Sequence, residues 1–217
     1  MLMEAARERM VEQQVRTAEV LDDRVLECLR ALPRERFVPP AWRELAFADC
    51  EIALPHGKRM LRPLLIGRIL QALALRGGES VLEVGTGSGY LSACLGRLGG
   101  RVLSLELHAE IAAFARANLA AATPELPVEV VNTDAMLLAE DSRYDVVVLT
   151  ASLPIYQTRF ERALRPDGRL FVVVGATTLQ EATLVRRVGS GGSRSEPLFE
   201  TCIEPLEHAP RPEAFGF

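Results

Sequence analysis

Ten residues, Val81-Leu82-Glu83-Val84-Gly85-Thr86-Gly87-Ser88-Gly89-Tyr90, constrain this chain more than any others. A short apolar run ends in three glycines at alternate positions, and Leu91, Cys94, Leu95 and Leu98 then recur at helical spacing. The pattern predicts a strand, a tight turn and a helix N-terminus, where glycine lets the backbone approach a ligand closely. The turn is not a dinucleotide fingerprint. Counted from Gly85, G-x-G-x-x-G would end on Tyr90, and counted from Gly87 on Ser92. No G-x-x-x-x-G-K-[ST] occurs, so a triphosphate is not the expected ligand.

The elements that follow repeat the strand-then-helix rhythm. Arg101 to Glu106 reads as a second strand ending in an acid, about 20 residues beyond the first glycine. An acid there can accept hydrogen bonds from both hydroxyls of an adenosine ribose. A helix is expected from about His108 to Ala121, then a strand from Val128 to Val131 leading to Asn132-Thr133-Asp134-Ala135. Tyr144 to Thr150 has the near-continuous apolar character of a buried parallel strand. Alternation from Val81 to Val174 implies a doubly wound, mainly parallel sheet with helices on both faces.

Before this α/β core lies a helical lead-in. Residues 4–18 show helical spacing, and Asp22 is a plausible N-cap for a helix over Val25, Leu26 and Leu29 that Pro33 stops. Pro40 suits the first turn of a short helix with Trp42 and Leu45; Pro63 does the same for a helix to Leu75, which Gly77-Gly78 ends. After the core, Ala182 to Val188 and Pro197 to Glu204 read as two antiparallel strands around a mobile loop at Gly189–Ser193, with an irregular tail after Pro205. The expected organisation is one domain over 1–217. Residues 1–75 form the lead-in and a loop before Pro63, 78–174 the ligand-binding core, and 175–217 the terminal strands and tail.

Composition sets the outer bounds. With 217 residues, 48% of them hydrophobic, the chain can bury one sizeable core. A net charge of −4 argues against a broad nucleic-acid-binding face. No apolar stretch is long enough for a membrane helix, and the first residues lack an export signal, so a cytoplasmic protein is expected. Cys28, Cys50, Cys94 and Cys202 are far apart and not grouped with the three histidines. Buried reduced thiols are expected, and no metal site.

The glycine turn, in the form E-x-G-x-G-x-G, resembles the first motif of class I S-adenosylmethionine-dependent methyltransferases. Leu164-Arg165-Pro166-Asp167-Gly168-Arg169-Leu170 resembles the turn into that fold's fifth strand. The lead-in narrows the resemblance. Met10-Val11-Glu12-Gln13-Gln14-Val15, Pro33-Arg34-Glu35-Arg36-Phe37-Val38-Pro39 and Ala46-Phe47-Ala48-Asp49 look like blocks of the protein-L-isoaspartate O-methyltransferases. Thr150-Ala151-Ser152-Leu153-Pro154 and Ile203-Glu204-Pro205-Leu206 continue the similarity in order, from about residue 10 to about residue 206.

The resemblance implies a monomeric, cytoplasmic repair enzyme that methylates the α-carboxyl of L-isoaspartyl residues in proteins and releases S-adenosyl-L-homocysteine. It implies a cofactor site of Glu83, Gly85, Thr86, Gly87, Ser88, Gly89, Glu106, Leu107, Asp134, Ala135 and Thr150, with Asp134 facing the adenine amino group. It also implies an acceptor loop at Lys58, Arg59, Leu61 and Arg62. Here the chain departs from the family's "G-x-G-Q-T-I-S-x-P". Gly57 and Pro63 keep the frame, but Lys58, Arg59 and Leu61 replace the Gln, Thr and Ser, so no catalytic residue is assigned. The three cationic residues, Lys58, Arg59 and Arg62, are candidates for an anion-receiving site. Two alternatives stay open: a different carboxylate acceptor, such as a small acid, or a non-catalytic protein that binds S-adenosylmethionine or S-adenosylhomocysteine.

Overall fold

A computed structural model describes residues 2–139, 141–175, 179–189 and 192–212. The lead-in holds α1 (Leu2–Met10) and α2 (Asp23–Ala31), followed by the two-residue strands β1 (Ile52–Ala53) and β2 (Arg59–Met60), then α3 (Pro63–Leu73). The core runs β3 (Ser80–Val84), α4 (Tyr90–Arg97), β4 (Arg101–Glu106), α5 (Ala109–Ala122), β5 (Val128–Asn132), β6 (Tyr144–Leu153), α6 (Thr158–Arg162) and β7 (Leu164–Val174). A hairpin of β8 (Gln180–Val188) and β9 (Gly192–Thr201) closes the order.

Seven strands form one sheet in the order β5-β4-β3-β6-β7-β8-β9. The five core strands are parallel; β8 and β9 are antiparallel. The chain leaves β3 toward β4 on one side and returns to β6 on the other. The carboxyl ends of these strands therefore flank the crevice where open α/β sheets take ligands.

The lead-in shares the apolar core of this sheet. Val15, Val25, Leu29 and Leu65 are buried in one cluster with Val81, Tyr90, Val146 and Phe171. Asp22 caps α2 by accepting the Arg24 amide at 2.9 Å. The regular helix expected over residues 4–18 ends at Met10 and gives way to a widened turn at Val11–Val15 and a tight one at Arg16–Ala18. That change keeps both Val11 and Val15 fully buried. Val15 packs so closely on Gly67 that a β-carbon there would lie 2.8 Å from its methyl group.

Other boundaries differ from expectation too. Helix α3 stops at Leu73, with Ala74 in the left-handed region at φ 45°, before Gly77 and Gly78 are reached. Buried Arg169 donates to the carbonyls of Leu73 and Ala74, which satisfies the helix end without a glycine. Strand β9 begins at Gly192, well before Pro197, so Gly192 and Ser193 of the expected mobile loop are paired; Ser190 and Gly191 lie outside the described residues. The run Gly192–Glu196 escapes a periodicity reading because it is an edge strand exposed throughout. Pro197 sits there beside a register shift opposite Ala182 and Thr183. None of the four cysteines forms a disulfide with a described residue, but only Cys28 and Cys94 are buried; Cys202 is exposed, contrary to expectation.

Candidate functional site

The cleft at the carboxyl ends of the central strands is built from the glycine turn upward. Gly85, Gly87 and Gly89 all have positive φ (92°, 54° and 85°), which explains why glycine stands at alternate positions. A β-carbon on Gly85 would collide with Thr150 Oγ1, whose hydroxyl donates to the Gly85 carbonyl at 2.7 Å. The strand and turn are thus locked to β6 by a residue that itself faces the cleft.

Glu106, at the end of β4, is 6% exposed and ties this strand to the turn. Its Oε2 accepts the Gly87 amide at 3.0 Å and its Oε1 the His108 amide at 3.1 Å. The Asn132 side chain in turn donates to the carbonyls of Glu106 and Leu107 at 2.8 and 2.9 Å, fixing the backbone that carries the acid. Asp134 accepts the Met136 amide through Oδ1 at 2.8 Å, while its Oδ2 meets His208 Nδ1 at 2.7 Å.

Among the residues expected at a cofactor site, Gly85, Thr86, Gly87, Ser88, Glu106, Leu107, Asp134, Ala135 and Thr150 line this one cleft. Lys58, Arg59 and Leu61 line it too. Glu83, Gly89 and Arg62 are not on its wall. Glu83 lies fully buried behind the turn: one carboxyl oxygen accepts from the Ser92 and Ser104 hydroxyls, and the other has no partner. Burial pushes its pKa up to about 7 against the pull of those two hydroxyls. Its place is to support the turn, not to meet a ligand.

Part of the loop's cationic charge is already engaged. Lys58 is paired with Glu207, and Arg59 Nε lies 3.3 Å from Glu204 and 3.8 Å from Glu51. The contacts with Glu204 and Glu207 join the loop to a strap, Ile203–His208, of which Ile203 to Glu207 line the cleft. Gln180 hydrogen-bonds both the amide and the carbonyl of Ile203, and Ser152 backbone groups pair with Glu204 and Leu206. Glu207 also meets His108 Nε2 at 3.0 Å, and Lys58 and His108 together hold its carboxyl at about 2. His56 stacks on His108 with ring centroids 4.3 Å apart, a loop contact and not a base poised in the cleft.

Sequence reasoning missed Glu51, Tyr90, His108 and the strap acids Glu204 and Glu207, all of which line the cleft. Only Ile203-Glu204-Pro205-Leu206 carried a signal, as a family block without a role. Among the described residues no group of three metal-ligating side chains converges, and no helix is long and apolar enough to cross a membrane.

The donor set suits a nucleoside with a cationic tail. A carboxylate beside open glycine backbone fits a vicinal diol, a second acid fits an amino group, and Leu107, Ala135 and Ile203 offer an apolar wall to a flat base. Comparison with known proteins gives the family. The family model Protein-L-isoaspartate(D-aspartate) O-methyltransferase (PCMT) matches residues 5–207. The protein-L-isoaspartate O-methyltransferase of Aeropyrum pernix is 38% identical over 212 residues, covering 95% of this chain and 82% of the relative. Protein-L-isoaspartate O-methyltransferase 2 of Pelobacter propionicus is 37% identical over 205 residues, covering 94% and 91%. The fold also matches a Plasmodium falciparum structure described as a protein-L-isoaspartate O-methyltransferase in complex with S-adenosyl-L-homocysteine. The TM-score is 0.80 at 19% identity, covering 93% of this chain and 98% of that one. By its sequence over almost its whole length, the chain belongs to the protein-L-isoaspartate(D-aspartate) O-methyltransferase family, whose methyl donor is S-adenosyl-L-methionine.

Proposed function

We propose that this enzyme methylates the α-carboxyl of L-isoaspartyl residues in proteins, acting as a cytoplasmic monomer, and that the cleft holds both donor and acceptor. The observation that carries the reading is that the glycine turn with Glu106 and the loop with Arg59 and Leu61 line one and the same cavity. S-adenosyl-L-methionine supplies a methyl group already activated on a sulfonium centre. In this reading, Glu106 and Asp134 hold its nucleoside, the first through the ribose hydroxyls and the second through the adenine amino group.

The residues on the acceptor side need only align and desolvate. A carboxylate with a reference pKa near 4 is ionised at neutral pH, so no general base is required. That is why Leu61 in the family's Ser position is compatible with activity. Arg59 spends its Nε on Glu204, and its terminal nitrogens donate no hydrogen bond to a described residue. They are the donors that orient the incoming carboxylate. Glu51 and Glu204 share the guanidinium charge, which keeps it from holding the carboxylate too tightly to react. Leu61 and Met60, both buried, exclude water from the transfer path.

The test is transfer of a radiolabelled methyl group to an L-isoaspartyl peptide, with the matching aspartyl peptide as control. Base-labile label on the first and none on the second is expected. Binding of S-adenosyl-L-homocysteine without transfer to any carboxyl acceptor would overturn the proposal.

A further inference from the structure

Arg34 stands in the Pro33–Pro39 block of the lead-in and is 0% exposed. A buried guanidinium normally faces a carboxylate, because removing the charge from water is costly unless it is paired. Arg34 has no ion pair with a described residue. Its Nε donates to the Ala46 carbonyl and its Nη2 to the Leu61 carbonyl, both at 2.8 Å, while Nη1 is buried without a partner among the described residues. Asp49 acts on it only at longer range, and its Oδ1 instead accepts the Leu64 amide at 3.1 Å at the start of α3.

What the guanidinium touches explains its position. Leu61 closes the acceptor loop, and its carbonyl is fixed by Nη2 alone among the side chains described. The guanidinium carbon lies 4.9 Å from the centroid of the Tyr90 ring. Tyr90 opens α4 directly after the glycine turn and lines the cleft, and its ring also meets Phe37 edge-on at 5.4 Å. One side chain therefore touches the acceptor loop, the Ala46 turn and the helix that carries the cofactor turn. Lysine cannot reproduce this, because a single ammonium lacks the planar fork and the flat face that rests on Tyr90.

We propose that Arg34 is a positioning residue for methyl transfer: its guanidinium sets the acceptor loop, through the Leu61 carbonyl, against the cofactor turn, through the Tyr90 ring. This role rests on the methyltransferase reading above; Arg34 itself touches no reacting atom.

The experiment compares Arg34→Lys and Arg34→Met with the wild type in the full chain. In both variants, affinity for S-adenosyl-L-homocysteine should stay near the wild-type value, because Glu106 and Asp134 are untouched. At saturating donor and peptide, kcat should fall by about 10²-fold in Arg34→Met, the scale of a small misplacement at a reacting centre, and less in Arg34→Lys. Hydrogen–deuterium exchange supplies a readout that needs no turnover. Segment 46–62 should lose protection in both variants while β3 and β6 keep theirs. If Arg34→Met does not fold, Arg34→Lys alone decides. A lysine variant with wild-type kcat and wild-type protection of segment 46–62 overturns the proposal. Failure of the wild type to methylate any carboxyl acceptor would instead overturn the functional reading, and the exchange data would still test the loop clamp.

Discussion

The Glu106 carboxylate accepts the Gly87 amide at 3.0 Å, so the acid at the end of β4 and the middle glycine of the turn after β3 are held together before any ligand arrives. The second oxygen takes the His108 amide, and the carboxylate is pre-oriented at the floor of the cleft. Preorganisation of this kind lowers the ordering cost of binding. Glu106→Ala removes the tie to the turn and, in the proposed function, the contact with the ribose hydroxyls. Affinity for S-adenosyl-L-homocysteine should fall by about 1–3 kcal/mol, roughly five- to 150-fold. Titration calorimetry checks this, and an unchanged affinity would remove Glu106 from the site.

Glu83 gives a prediction about pH. Its carboxyl is buried and its folded pKa is about 7, against an ordinary value of 4.5. The unfolded chain gives up this proton near pH 4.5, while the folded chain keeps it to about 7. The folded state therefore binds more protons across that window, and Glu83 makes stability fall as pH rises. The loss is on the order of 3 kcal/mol once both pKa values are passed. In Glu83→Gln the amide can keep the contacts with Ser92 and Ser104 without a charge to desolvate. Without cofactor, Glu83→Gln should be more stable than wild type at pH 8 and nearly equal to it at pH 5. Urea unfolding at the two pH values measures the difference, and a variant that loses ground at pH 8 contradicts the assignment.

Glu207 joins Lys58 of the loop and His108 of the cofactor side, so it latches the strap across the cleft. Its carboxyl is held at about 2, below the ordinary 4.5, by those two partners. Stability from this pairing is present above pH 4.5 and is lost as pH falls toward 2. The group is 36% exposed, so solvent screening keeps its worth to about 1 kcal/mol or less. The clearer effect is kinetic. Glu207→Gln should speed release of S-adenosyl-L-homocysteine by up to roughly fivefold, the equivalent of that energy. High salt should do the same to the wild type and little to the variant. Stopped-flow displacement reads both, and equal salt dependence in the two proteins would dismiss the latch.

Much of the cofactor side was legible in the sequence because its signals are local. A glycine at positive φ, an acid at a strand end and an N-cap such as Asp22 each declare themselves within a few residues. The acceptor side is assembled from a distance. Arg59 meets Glu204 145 residues away, and Arg34 meets the Leu61 carbonyl across 27. The charge at Lys58 reads as available in the sequence because its partner Glu207 lies in a segment without periodicity. The ends of α3 and β9 were misjudged for a related reason. Arg169 replaced the expected glycine cap, and an edge strand needs no alternating pattern.

The last prediction concerns Arg59. Its terminal nitrogens donate to no described residue, which in the proposed function leaves them to the acceptor carboxylate; burial, with Glu204 nearby, raises the Glu51 pKa. A guanidinium donating to a carboxylate makes a charge-assisted pair worth about 1.5–3 kcal/mol. Arg59→Ala should therefore raise KM for an L-isoaspartyl peptide by roughly 10- to 150-fold, while affinity for S-adenosyl-L-homocysteine stays near the wild-type value. Arg59→Lys should recover part of the loss, because it keeps the charge without the fork. Leu61→Ser introduced into Arg59→Ala distinguishes orientation by arginine from a simple need for a polar loop. If Arg59 orients the acceptor, the added hydroxyl restores little; if any donor suffices, it restores most of the activity. Steady-state kinetics with the peptide varied at saturating donor separates the outcomes, and a wild-type KM in Arg59→Ala would show that the acceptor carboxylate is held elsewhere.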